Sequence, residues 1–230
     1  MYLIKGIIVF ITVLFITKGI GQSYNSFVKT PKEYAILRTN IAPHIDGLQN
    51  DVIWKTAFAT DSFIQYEPKP FQCASLDSKV KLCYDDNAIY VYAHLYDTPS
   101  KIRKELSSRD AVQYSNSDYF TISFDTYNDD QNGTRFIIGA NGVQSDSKIF
   151  NNYSDFNWNG VWESKVKIVE DGWIAELKIP YYNLRFPKKE KQIWGLQCAR
   201  YINRLGETDT WTPLDPKING HVNQWGNMTG

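Results

Sequence analysis

Residues 79–95 read KVKLCYDDNAIYVYAHL. Val80, Leu82 and Tyr84 alternate with Lys79, Lys81 and Cys83; Asp85-Asp86-Asn87 supplies a turn; Ile89, Val91, Ala93 and Leu95 then line one face of the next run. Side chains on a strand point alternately to its two faces, so a period of two on both sides of an Asx-rich turn predicts an antiparallel hairpin with one buried face. The same pattern recurs further along. Phe120, Ile122 and Phe124 alternate with Thr121, Ser123 and Asp125; a polar loop runs from Tyr127 to Gly133; and Arg135 to Ala140 reads as a strand ending in an Asn141-Gly142 turn. Trp162, Ser164, Val166 and Ile168 alternate with Glu163, Lys165 and Lys167, and Glu170-Asp171-Gly172 returns the chain into Trp173, Ala175, Leu177 and Ile179, which Pro180 ends. Residues 191–204 give one more long strand carrying Trp194, Leu196 and Cys198. Helical periodicity is confined to short pieces near 50–57, 100–107 and 181–185. Many short strands joined by turns predict an all-β fold, a two-sheet antiparallel β-sandwich of immunoglobulin-like or jelly-roll type with a few short helices.

The 230 residues suffice for a sizeable core without disulfides or a structural metal. Lys and Arg number 25 against 25 Asp and Glu, and this balance argues against a nucleic-acid partner, which needs a basic surplus. Residues 1–21 read as a signal peptide. Lys5 precedes an uncharged run from Gly6 to Thr17, and Lys18-Gly19-Ile20-Gly21 ends in a small residue suited to cleavage before Gln22. The run is short of the about 20 residues that a spanning helix needs. Cleavage leaves 23 basic against 25 acidic residues and places the mature chain across the inner membrane, in the periplasm, at the outer membrane or on the cell surface. Residues 22–33 form an extended lead, and 34–230 read as one sandwich domain. Cys73, Cys83 and Cys198 are an odd number with no C-x-x-C; Cys83 and Cys198 lie in strand-like runs as small buried hydrophobes, and a Cys73–Cys83 bridge stays open.

Catalytic signatures are missing: no G-x-S-x-G, no H-E-x-x-H and no phosphate-cradling glycine loop. Glycosidic hydrolysis needs two carboxylates flanking one bond. Glu163 and Glu176 are candidates, yet both alternate with lysines on strands, as on a solvated sheet face. Asp125, Asn128, Asp129, Asp130 and Asn132 are oxygen ligands of the kind Ca2+ takes, although their spacing departs from the D-x-D-x-D-G loop and a solvated Asx-rich turn is the competing reading. No cofactor is required.

The tryptophans divide by context. Trp162, Trp173 and Trp194 lie in strand patterns and are core residues, and Trp54 reads as a plug for one end of the sandwich. Trp158 lies in the polar loop Asp155-Phe156-Asn157-Trp158-Asn159-Gly160. Trp211 and Trp225 occupy the irregular C-terminal region, and Tyr114 the 107–117 loop. Sugar rings present C–H faces that stack on aromatics while amides, carboxylates and Arg bond their hydroxyls. Trp158 with Asn157, Tyr114 with Arg109 and Asp110, and Trp211 are therefore the candidate carbohydrate-binding residues.

Ile45-Asp46-Gly47 with Asp51 and Trp54 gives I-D-G-x-x-x-D-x-x-W, followed by Val80 to Asp85 with Ile89-Tyr90-Val91, by Asp118 to Asp125, by Gly172 to Pro180, by Trp194-Gly195 and by Trp225-Gly226-Asn227. In this order the motifs resemble carbohydrate-binding module family 9, over nearly the whole mature chain. The Arg109-Asp110, Leu184 to Pro187 and Arg200 to Arg204 segments are similar to the family-9-like domain that precedes a β-barrel in bacterial outer-membrane proteins. The resemblance implies a non-catalytic module that binds poly- or oligosaccharide, supporting carbohydrate catabolism beside glycoside hydrolases. It leaves two other readings open: an interaction domain that docks on an outer-membrane β-barrel or envelope protein, and a hydrolase acting on glycosidic bonds. The family's two sugar-clamping tryptophans fall near Ser115 and Asn219, its polar Glu at Thr121 and its Arg at about Ile137. The fold therefore carries over more fully than the site.

Overall fold

The computed structural model describes residues 31–60, 62–150 and 153–230; the expected signal peptide and residues 22–30 of the lead lie outside these. Fourteen strands are described: β1 (Glu33–Ala35), β2 (Leu37–Arg38), β3 (Ile64–Glu67), β4 (Ser78–Tyr84), β5 (Ala88–Tyr96), β6 (Tyr119–Asp125), β7 (Asn132–Gly139), β8 (Gln144–Phe150), β9 (Tyr153–Asp155), β10 (Glu163–Val169), β11 (Gly172–Pro180), β12 (Ile193–Ile202), β13 (Glu207–Thr210) and β14 (Gly226–Thr229). One short helix, α1 (Val52–Thr56), and several 3-10 turns complete the elements. The pieces expected near 100–107 and 181–185 shrink to the 3-10 turns Pro99–Lys101 and Tyr181–Asn183.

The larger sheet runs β1-β14-β12-β6-β7-β8-β9, with β13 on β12 and β3 on β13; the smaller runs β10-β11-β5-β4-β2. The hairpin of residues 79–95 forms as read, with Tyr84 opposite Ile89 across the Asp85-Asp86-Asn87 turn. Pairing is antiparallel except at two edges, where β1 lies parallel to β14 and β2 parallel to β4. Only Ile36 separates β1 from β2, so the incoming chain runs along one sheet and then the other. At the start of β11, Gly172 adopts φ +152°, and a Cβ there would sit 2.2 Å from the Leu95 carbonyl oxygen.

Alternation decides the core. Val80, Leu82, Val91, Ala93, Leu95, Trp173, Ala175 and Leu177 meet Phe120, Ile122, Phe124, Phe136, Ile138, Trp194, Leu196 and Cys198 between the sheets. All three cysteines are free, so the Cys73–Cys83 bridge does not form; Cys83 and Cys198 are buried and Cys73 is exposed.

Two expectations change on the outer face of the smaller sheet. Trp54 does not plug an end; it packs on this face with Ala57, Cys83, Ala88, Tyr90, Tyr92 and Ile174, because α1 is folded across the sheet. Glu176 is not solvated either. It is fully buried beneath that cover, where its Oε2 accepts the N–H groups of Asp46 (3.0 Å) and Gly47 (2.8 Å) and its Oε1 the Trp54 indole N–H (2.9 Å). Glu163 is exposed and pairs with Lys178 at 2.8 Å, so the two carboxylates do not form a hydrolytic pair.

Candidate functional site

The outer face of the larger sheet is built differently. Its strands turn apolar residues inward at Phe120, Ile122, Phe124, Phe136 and Ile138, so the alternate residues face out. The register aligns them in rows: Gln197, Ser123, Arg135 and Ser147 lie side by side on β12, β6, β7 and β8, and Ala199, Thr121, Ile137 and Ser145 form the next row. In the row beyond, Tyr119 and Tyr201 stack at 4.9 Å between ring centroids. Burial pushes the Tyr119 phenol up to about 12, so it remains a donor.

Two loops wall this face. On one side the 3-10 turn Val112–Tyr114 is fastened to β8 by the Val112 N–H on Ser145 Oγ (3.3 Å). It leaves the Tyr114 ring 78% exposed, with Phe156 meeting it edge-on at 6.4 Å. On the other side the loop leading to β14 packs Leu214, Val222 and Trp225 onto Ile149, and His221 rests on Tyr66 at 5.5 Å. Burial, and then the Arg135 charge, hold the His221 imidazole below its ordinary value, so it is neutral at pH 7.

Arg135 is the residue that the sequence reading missed. It stands in the row beside Thr121 and Ile137, where the family's polar residues were carried. A shift of two residues along a strand keeps a side chain on the same face. Its guanidinium reaches Ser123 Oγ at 3.4 Å and Ser154 Oγ at 3.5 Å, and no carboxylate among the described residues lies within ion-pairing distance. Next to it the Ser147 hydroxyl is buried without a hydrogen-bond partner. A planar donor with spare hydrogen-bonding capacity, one unmatched hydroxyl and an exposed ring can bond hydroxyls and stack on a C–H face.

The other sequence candidates lie elsewhere. Trp211 is 2% exposed in the core, edge-on to Tyr34, and offers no ring face to a ligand; its strand-end position and the Tyr34 contact take it inside. Arg109 is structural. Its guanidinium donates to Asp146 (2.6 Å), the Gly160 carbonyl (2.9 Å) and Gln144 (2.7 Å), while Asp146 also accepts the Gly160 N–H and the Trp162 indole N–H. Asp110 takes φ +64° and accepts the Asp146 N–H. Asn157 is exposed and bonds Asp155. Trp158 sits at a mouth between the sheets, edge-on to Phe136 with the Lys148 ammonium 4.2 Å over its ring. Tyr114, Trp158 and Trp211 therefore do not converge on one site.

In the acidic loop offered for calcium both Asp129 carboxylate oxygens and one of Asp125 bond the loop itself, while Asp125 Oδ1 is buried without a partner. Asp129 Oδ1 accepts the N–H groups of Gln131 and Asn132, its Oδ2 accepts the Asn132 side-chain N–H, and Asp125 Oδ2 accepts the Asp130 N–H. These oxygens turn back onto their own backbone as Asx turns. Among the described residues no group of three His, Cys, Asp or Glu side chains could hold a metal ion.

The model of the family described as carbohydrate family 9 binding domain-like matches residues 45–229. Among curated proteins, no relative matches. A family 9 carbohydrate-binding module from Caldicellulosiruptor kristjanssonii, solved with glucose, superposes with a TM-score of 0.60 at 20% identity, covering 86% of this chain and 94% of that one. The same kind of module solved with cellotriose gives 0.60 at 20% identity, over 86% and 92%. A Bacteroides uniformis ATCC 8492 protein, solved as a candidate carbohydrate-binding protein, gives 0.66 at 10% identity over 87% and 99%.

Proposed function

The chain belongs to the carbohydrate family 9 binding domain-like family, and we propose that it is a glycan-binding module whose saccharide lies on the outer face of the larger sheet, between Tyr114 and the loop that carries His221. The observation that carries this reading is Arg135: a guanidinium on a polar face, with no carboxylate among the described residues within ion-pairing distance, beside the positions where the family's polar sugar contacts were carried. Tyr114 stands one residue from the position of one family clamp and supplies the stacking surface. The solved relatives that hold glucose and cellotriose support a glucan as the ligand. We further place the module outside the cytoplasm, in the cell envelope or secreted, on the strength of the apolar run near the N-terminus, and in carbohydrate catabolism beside hydrolytic enzymes.

Titration calorimetry with cellotriose tests this. Removing an aromatic partner costs about 1 kcal/mol, roughly fivefold in affinity, so Tyr114→Ala weakens binding by about that factor and Arg135→Met by at least as much. Binding that is unchanged in both variants overturns the site. Absence of any saccharide binding by the wild-type chain, with recovery of one envelope protein from extract, overturns the function in favour of a docking domain.

A further inference from the structure

A second concavity opens on the far side of β8, facing between the sheets rather than away from them. It has a volume of about 560 Å³. Its wall includes Lys148, whose side chain points inward because Ile149 points out. The ammonium donates to Thr134 Oγ1 at 2.7 Å and to the Asn183 carbonyl at 3.4 Å, and sits over Trp158. Arg185 lines the same cleft from the loop after β11. No carboxylate among the described residues lies within ion-pairing distance of either cation. Asp146 is committed to Arg109, Gly160 and Trp162; Asp125, which also lines the cleft, accepts the Asp130 N–H on its Oδ2 and keeps its Oδ1 buried without a partner. Burial, and secondarily the charge of Arg185, hold the Lys148 ammonium down to about 8. Two cations on one partly dry wall, neither paired with a carboxylate among the described residues, form a standing site for an anion. The rim adds exposed rings, Tyr127, Phe150 and Tyr182, the last fixed by its hydroxyl on the Val161 carbonyl at 2.9 Å.

We propose that this cleft is a second binding site, for the carboxylate of an acidic saccharide residue such as a uronate, held by Lys148 and Arg185 with its ring against the aromatic rim. The saccharide class rests on the glycan-binding function proposed above; the preference for charge rests on the cleft alone. Titration calorimetry on the full chain compares trigalacturonic acid, its methyl ester and cellotriose. The acid binds at least tenfold more tightly than the ester. Lys148→Met, which keeps the aliphatic stem over Trp158, and Arg185→Gln, at an exposed loop position, each erase that advantage and leave cellotriose binding unchanged. Equal binding of acid and ester, no binding of the acid, or an acid preference that survives in both variants overturns the proposal, while cellotriose binding shows separately whether the glycan-binding function stands. A triglutamate peptide that binds as tightly as trigalacturonate overturns the saccharide assignment.

Discussion

Trp54→Phe tests why the I-D-G-x-x-x-D-x-x-W motif has its spacing. Glu176 is fully buried on β11 and is matched by three N–H donors, two from the Asp46-Gly47 turn and one from Trp54. The six residues between Gly47 and Trp54 let one chain segment bring both the turn and the indole to that carboxylate. Phenylalanine keeps most of the ring on the sheet but removes the indole N–H, leaving Glu176 Oε1 without a donor. A hydrogen bond to a charged group contributes about 1.5–3 kcal/mol. The lost part of the ring leaves a small cavity worth about 1 kcal/mol more. The sum is about 3 kcal/mol, a large share of the roughly 5–15 kcal/mol typical of a domain, yet compatible with folding. Urea denaturation followed by circular dichroism at pH 7 measures it. The diagnostic step repeats the substitution in a Glu176→Gln background, where the amide already opposes the indole N–H. There the cost of Trp54→Phe shrinks by about 1–2 kcal/mol, the coupling expected of groups in direct contact. A cost below about 1 kcal/mol in the wild-type background, or an equal cost in both, would refute the hub.

Two further outcomes follow from buried charges. Arg109→Ala strips Asp146 of its counter-ion and should destabilise the fold by about 2–3 kcal/mol without altering cellotriose affinity, since the arginine is about two-fifths exposed and a fully buried pair would cost more; weaker sugar binding at unchanged stability would return Arg109 to the site. Asp209 is buried with neither carboxylate oxygen hydrogen-bonded, and burial, with the adjacent Glu207, pushes it up to about 8 against the Arg200 charge. Its folded value exceeds its unfolded one, so its contribution is fully present below pH 4 and is lost as pH rises through 8, at up to about 1.4 kcal/mol per pH unit. Thermal melts of wild type and Asp209→Asn should diverge across that window, the variant losing less; parallel profiles would exclude Asp209 as the titrating group.

The sandwich was legible because the two-residue period survives wherever one face meets the core: Val80 to Leu95, Phe120 to Phe124 and Trp173 to Ile179 all place their apolar set between the sheets. β8 escaped because its inward positions are Asp146 and Lys148, which serve the Arg109 cluster and the cleft rather than the apolar core. Glu176 was misjudged for a related reason. Its lysine neighbours Lys165 and Lys178 suggested solvent, and the cover over it comes from a segment about 130 residues away, which no local pattern can report. The site was harder still. Arg135 lies two residues from the position carried over from the family, and only the register, which sets it beside Ser123 and Ser147, shows that the displacement preserves the face. Trp211 looked like a loop aromatic because nothing within its own stretch reveals Tyr34 beside it.

Unspent hydrogen-bonding capacity separates the two outer faces. A buried polar atom without a partner costs free energy unless something outside the chain completes it. On the smaller sheet the buried carboxylate of Glu176 has three donors and nothing is left over. On the larger sheet the Ser147 hydroxyl is buried without a partner, Gln113 Oε1 beside Tyr114 likewise, and Arg135 holds only two long contacts. Unmatched buried atoms also occur at Asp125, Asp209 and Trp211, but on this face Ser147, Gln113 and Arg135 lie together within reach of the placed saccharide. Ser147→Ala separates an internal role of this hydroxyl from a ligand-binding one. Removing an unmatched hydroxyl from the interior forfeits no internal hydrogen bond, so stability should be unchanged or raised by up to about 1 kcal/mol in urea denaturation. If the hydroxyl is completed by ligand, cellotriose affinity falls several-fold in the same variant. Destabilisation beyond about 1 kcal/mol with unchanged affinity would mean that the hydroxyl has an internal role, and the face would lose its claim to the ligand.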